Sequence, residues 1–114
     1  MVQNRPKLID LFIGNISNAI LHKLLEKSID NNGITKRYAK ESATSLEIAK
    51  RYREKINPVN SELPDKDVDY IRTKIINKVK TELMYRISKG YSGIDLNLTE
   101  EFVDHALMEM KIVG

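Results

Sequence analysis

From Leu8 to Ile29 apolar side chains recur at spacings of three and four, and they do so on two sides of one helix. Ile9, Phe12, Ile13, Ile16, Ile20 and Leu24 form the first stripe, and Leu11, Leu21, Leu25 and Ile29 form the second, with Asn18 and His22 as its polar neighbours. A surface helix of a small domain needs a single apolar face. This helix needs cover from two directions, so either the chain wraps it with its own elements or a second chain shares it. Pro6 suits a first helical turn and Asn31-Asn32-Gly33 is chain-ending chemistry, which places helix 1 at about 7–30.

Three further helices follow. Helix 2 is expected over about 35–56, ending before Pro58, with Ile34, Tyr38, Ile48, Ala49, Tyr52 and Ile56 inward. Its waist, Ser42-Ala43-Thr44-Ser45, is built of small residues that let a neighbour come close. Helix 3, about 66–89, opens on Asp65, Asp67 and Asp69, where the helix dipole favours acids, and stops at Gly90. Val68, Ile75, Ile76, Val79, Leu83 and Ile87 share its apolar arc. Ile94 to Leu98 alternates apolar and polar with no strand elsewhere to pair with, which predicts an extended strap over 94–98. Thr99 then reads as the N-cap of helix 4, about 100–111. A chain of 114 residues has the size of one domain, so residues 1–114 are read as a single all-α, four-helix bundle-like unit closed by that strap.

Residue types that carry chemistry are sparse. With no Cys there is no thiolate site, no disulfide and no thiol nucleophile. His22 and His105 fall on different helices, without acids at ligand spacing, and the glycines form no phosphate cradle. No catalytic, metal or cofactor residue and no small-molecule substrate is expected. Arg5 and Lys7 ahead of Leu8 to Ile16 imitate the opening of a secretion signal, but Asp10, Gly14, Asn15 and Asn18 interrupt the apolar run. The expectation is a cytoplasmic protein with no membrane partner.

Charge is distributed unevenly under the net +3. Residues 36–89 carry fourteen Lys or Arg against eight acids, whereas residues 90–114 carry one against five. A basic middle and an acidic end can meet each other or an outside partner. On helix 2, Lys36, Arg37, Lys40, Arg51 and Lys55 share a flank, and on helix 3, Lys74, Lys78 and Lys89 line a comparable strip. Antiparallel packing merges the two into one candidate nucleic-acid surface. Arg72 and Arg86 fall inside the apolar arc of helix 3, where each either snorkels, the favoured reading, or meets a carboxylate as a buried ion pair.

The run from Tyr70 through Leu98-Thr99-Glu100-Glu101, a long basic helix followed by an acid-started one, resembles the helical domain of GINS replication subunits. Where that family carries Arg-x-x-Lys-Ile, this chain has Arg86-Ile87-Ser88-Lys89-Gly90. The resemblance implies an accessory subunit of a replication or nucleoprotein complex. The residues themselves lead to a non-catalytic interaction or assembly protein, a homo-oligomer or a partner-protein subunit joined through Leu11, Leu21, Leu25 and Ile29. The alternative is nucleic-acid binding by the basic strips.

Overall fold

The computed structural model describes residues 5–28, 32–56, 63–110 and 112. They form four helices, α1 (Arg5–Ser28), α2 (Asn32–Ile56), α3 (Asp65–Ser88) and α4 (Leu98–Glu109), with no strand among the described residues. The all-α bundle expected from the periodicity is what the chain adopts. It is elongated, 45 × 24 × 23 Å.

Helix α1 is the axis. It packs against each of the other three helices, α3 also packs on α4, and α2 packs along α1, reaching the end of α4 through Arg53. Arg5 pairs with Asp67 at 2.7 Å and the Tyr70 hydroxyl donates to Asp10 at 3.1 Å, so α1 and α3 run parallel. Arg72 with Asp104, and Lys80 with Glu100, set α4 antiparallel to α3. Ser42 lies beside Ala19, and its buried hydroxyl donates to the Ala19 carbonyl at 2.8 Å. The small waist of α2 does allow close approach, although only Ser42 is buried there and Ala43 and Thr44 face solvent.

The first stripe of α1, and Leu21 and Leu25 of the second, are consumed by this wrapping. Phe12, Ile16 and Leu25 are completely enclosed, and Leu21 is nearly so. By length and mean hydropathy, 1.3 over its apolar window, Arg5–Lys27 is long and apolar enough to cross a bilayer, more so than the Leu8 to Ile16 run alone suggests. In the fold those apolar side chains go into the core with Ile71, Ile75, Val79, Leu83, Val103 and Leu107.

Several ends differ from expectation. Helix α2 begins at Asn32, so Asn32 and Gly33, read as part of a stop signal, belong to its first turn, since the residue types that end one helix also suit the start of the next. Ile34 and Ile87, expected inward, are exposed; both lie close to helix ends, where the covering elements run out. Gly90 does close α3: at φ +100° it lets its N–H reach the Ile87 carbonyl and Tyr91 N–H reach the Arg86 carbonyl. The strap is a turn instead of an extended segment. Asp95 Oδ1 accepts from Asn97 N–H at 2.9 Å while its carbonyl accepts from Leu98 N–H, which starts α4 two residues earlier than the sequence suggested. Thr99 is therefore no cap but a buried residue inside the first turn. Ile94, Leu96 and Leu98 still pack on the core as the alternation required.

Because Leu83 and Leu25 have no exposed surface, their substitutions report the fold directly. Leu83→Ala is expected to cost about 2–5 kcal/mol in denaturant unfolding. Leu25→Glu, which buries an unpaired carboxylate, is expected to give an unfolded or molten chain, seen as loss of near-UV circular dichroism.

Candidate functional site

On α1 the polar positions Asp10, Gly14, Asn18, His22 and Glu26 recur at every fourth residue and so form one row along the helix. Helices α2 and α3 lie on either side of this row without touching each other. Beside α3 the row floors a groove of about 570 Å³ that includes Gly14, Ser17, Asn18 and His22 from α1 and Lys74, Lys78 and Arg86 from α3. A shallower hollow on the α2 side brings Arg37, Lys40 and Glu41 to the same His22. Gly14 leaves the floor open, since a Cβ there would meet nothing within 4 Å.

His22 is the hinge of this arrangement. Its ring stacks on Tyr38, centroids 5.5 Å apart, and its Nε2–H donates to Glu41 across 3.2 Å. That leaves Nδ1, which is shut off from solvent and has no hydrogen-bond partner. Burial pulls the His22 pKa below its ordinary value; Glu41 raises it, Arg86 lowers it, and the Asn18 carbonyl raises it. Ser17 Oγ and Arg86 Nε, also lining the groove, are likewise enclosed without partners.

The eight basic residues of the two strips, Lys36, Arg37, Lys40, Arg51, Lys55, Lys74, Lys78 and Lys89, are all exposed. The structure brings Arg37, Lys40, Lys74 and Lys78 to the two sides of the polar row. Arg51 and Lys55 stand farther along α2, about 16 Å or more from Lys40 at 1.5 Å per residue. Lys89 stacks over Tyr85 in the last turn of α3.

Arg72 does not snorkel. It forms a two-pronged pair with Asp104, Nε–Oδ1 2.7 Å and Nη2–Oδ2 3.2 Å, but both side chains stay about half exposed, so the pair is not buried. Among the described residues Arg86 meets no carboxylate, and its guanidinium lies over Tyr91 at 5.7 Å. The second stripe of α1 likewise departs from its expected role. Leu21 and Leu25 are covered by this chain's own helices and present no surface to a second copy, Leu11 is half-buried, and Ile29 lies outside the described residues.

Two polar residues escaped the sequence reading. Arg53 is 1% exposed and donates from Nε to the Met110 carbonyl at 2.9 Å, fastening the end of α2 to the end of α4. Its spacing signals the inner face, since Ser42, Ala49, Arg53 and Ile56 follow one another at intervals of seven, four and three. Ser17 sits among isoleucines on a core helix, and only its position beside the row Gly14–Asn18 hints at a groove. A second concavity, between α1, α2 and α4, is lined by Ile16, Ala19, Ile20, Leu46 and Phe102 and is mainly apolar. Among the described residues no three His, Asp or Glu gather as metal ligands would.

Fold and groove together define the class: an all-α bundle with a basic polar groove beside its central helix. No known family model, curated protein or solved structure matches the chain, the replication-subunit family that its second half resembles included.

The pH dependence follows from the causes at His22. Glu41→Gln is expected to lower the His22 pKa further and Arg86→Gln to raise it, read from ring resonances by NMR. Because the folded-state pKa is depressed, the unfolded chain binds the proton more readily. His22 therefore contributes stability that is full above the ordinary histidine range and is lost as pH falls through it. Urea midpoints measured across that range should show the decline, and His22→Gln should remove this component of it.

Proposed function

We propose that this chain is a non-catalytic, intracellular helical binding protein that holds the phosphate backbone of a nucleic acid along the face shared by α2 and α3. One observation carries the reading: Arg37 and Lys40 from α2, and Lys74 and Lys78 from α3, flank the same polar row of α1. A concavity walled by low-dielectric helices and lined by more cations than acids concentrates polyanions. Two of the five acids of the C-terminal segment, Asp104 and Glu100, are held by Arg72 and Lys80 on the opposite flank of α3, away from this face. Lys80 keeps Glu100 below the usual carboxylate range, in keeping with that pairing. Glu82 and Glu41 are the acids that line the basic side.

A protein-binding role draws on a different observation. Met84, Tyr85 and Ile87 are exposed together in the last turns of α3, more apolar surface than solvent alone favours. This reading concerns a partner protein at that end of the molecule. The burial of Leu21 and Leu25 removes the support for self-association through α1.

Reversing charge at Lys40, Arg51 and Lys78 together is expected to abolish binding to duplex or single-stranded oligonucleotides at low salt. The unfolding midpoint should stay within experimental error, since exposed cations contribute little to stability. In single variants each lost phosphate contact should lower the slope of log K against log salt by about 0.7–0.9. Fluorescence anisotropy that shows equal affinity for the triple variant and the native chain would exclude this face.

A further inference from the structure

We propose that the floor of the α1–α3 groove seats one phosphate-type oxyanion, taken by the Arg86 guanidinium, the His22 ring and the Ser17 hydroxyl. The proposal deepens the binding reading above and rests on it for the source of the phosphate, either a nucleic-acid phosphodiester or a free phosphate group.

Ser17 Oγ, His22 Nδ1 and Arg86 Nε are each cut off from solvent and each lacks a partner, and all three belong to residues that line this one groove. Enclosed polar atoms without partners are costly, and proteins rarely tolerate several in one place. Elsewhere the chain satisfies such groups: the buried Ser42 hydroxyl reaches the Ala19 carbonyl, and buried Arg53 reaches the Met110 carbonyl. The remaining orphan, Thr99 Oγ1, lies apart at the start of α4. Ser17 does not use the usual helical outlet, a hydrogen bond to the carbonyl one turn back.

The chemistry of the three groups selects the ligand. Arginine only donates, and a serine hydroxyl can donate, so the match is a ligand made of acceptors. Lys74 and Lys78 at the rim add positive charge against the single carboxylate of Glu82. Neutral His22, with its one N–H committed to Glu41, leaves Nδ1 as a lone pair, so it holds an anion only after a second proton arrives on Nδ1. The groups that line the hollows on either side of the ring are Tyr38, Glu41, Arg37 and Lys40 from α2 and Arg86, Lys74, Lys78 and Glu82 from α3, with the Asn18 carbonyl on α1 itself. Burial and Arg86 oppose that proton, while Glu41 and the Asn18 carbonyl favour it, and burial, the largest of the four, keeps the pKa low. An oxyanion offsets Arg86 and accepts Nδ1–H while Glu41 holds Nε2–H. Anion and proton are therefore taken up together, and affinity increases as pH falls.

Sulfate is the probe for the seat, because its charge is constant across the range in which histidine titrates. With the full chain at constant ionic strength, sulfate is expected to shift the His22 ring resonances, raise the His22 pKa and bind more tightly at lower pH. Arg86→Gln should weaken sulfate binding about tenfold or more, and Ser17→Ala about threefold or more. Ser17→Ala also keeps the test valid if Arg86→Gln does not fold, since it only deletes an unsatisfied hydroxyl. Sulfate that leaves His22 unmoved, or that binds the Ser17→Ala chain as tightly as the native one, overturns the seat. Competition between sulfate and an oligonucleotide, with both weakened by Arg86→Gln, assigns the phosphodiester as the source. Sulfate and inorganic phosphate binding without any oligonucleotide binding supports the seat for a free phosphate group and removes only the nucleic-acid reading. Oligonucleotide binding unchanged in both variants, with no sulfate effect, leaves that reading intact and overturns the seat.

Discussion

A helix with apolar residues on two sides cannot be satisfied by one neighbour, and the rest of this structure follows from how α1 solves that problem. Helix α2 covers one side through Ser42, Ala49 and Ile56, and α3 and α4 cover the other through Ile75, Leu83, Val103 and Leu107. Burying the larger of these side chains contributes on the order of 1.5–3 kcal/mol each against exposure, which is what drives the wrapping of α1. Since α2 and α3 both pack on α1 but not on each other, they leave a strip of α1 between them. That strip is where the polar row Asp10, Gly14, Asn18, His22 and Glu26 lies. The groove is thus a direct result of the way the apolar surface is covered.

Charge is sorted by the same geometry. Helix α4 runs antiparallel to α3 and sets Asp104 and Glu100 against Arg72 and Lys80, so one flank of α3 is neutralised within the chain. The other flank, with Lys74 and Lys78, faces the groove and has no carboxylate partner among the described residues. Such half-exposed pairs add little to stability, at most about 1 kcal/mol each. Their larger effect is to divide a uniformly basic helix into a quiet side and a charged side. Arg53 is the counterexample: enclosed at the junction of α2 with the end of α4, its charge is disfavoured by burial, and its Nε–H holds two helix ends together.

Within the groove, polar groups are held at positions where water is largely excluded. His22 is fixed by Tyr38 on its face and by Glu41 at Nε2, which leaves Nδ1 oriented without a partner. Arg86 is placed by the α3 C-terminus, where Gly90 ends the helix and returns the chain so that Tyr91 lies under the guanidinium. Preorganised donors of this kind lose little entropy on meeting a ligand, which is the physical basis for a binding role.

The sequence by itself determined the all-α class, the number of helices, the stop at Gly90 and the need of α1 for cover on two sides, because periodicity and turn chemistry are local properties of the chain. It also identified the exposed cations, whose hydration keeps them at the surface in any packing. Only the tertiary structure decided that Leu21 and Leu25 face the chain's own core, that Arg72 pairs with Asp104, that Arg53 is buried, and that Ser17, His22 and Arg86 share one groove. Each of these depends on which helix lies beside which and in what direction. Residues such as Ser17 and Arg86 are 69 positions apart in the chain. No local pattern encodes their meeting; it arises because α3 returns parallel to α1 after α2 has already taken the opposite side.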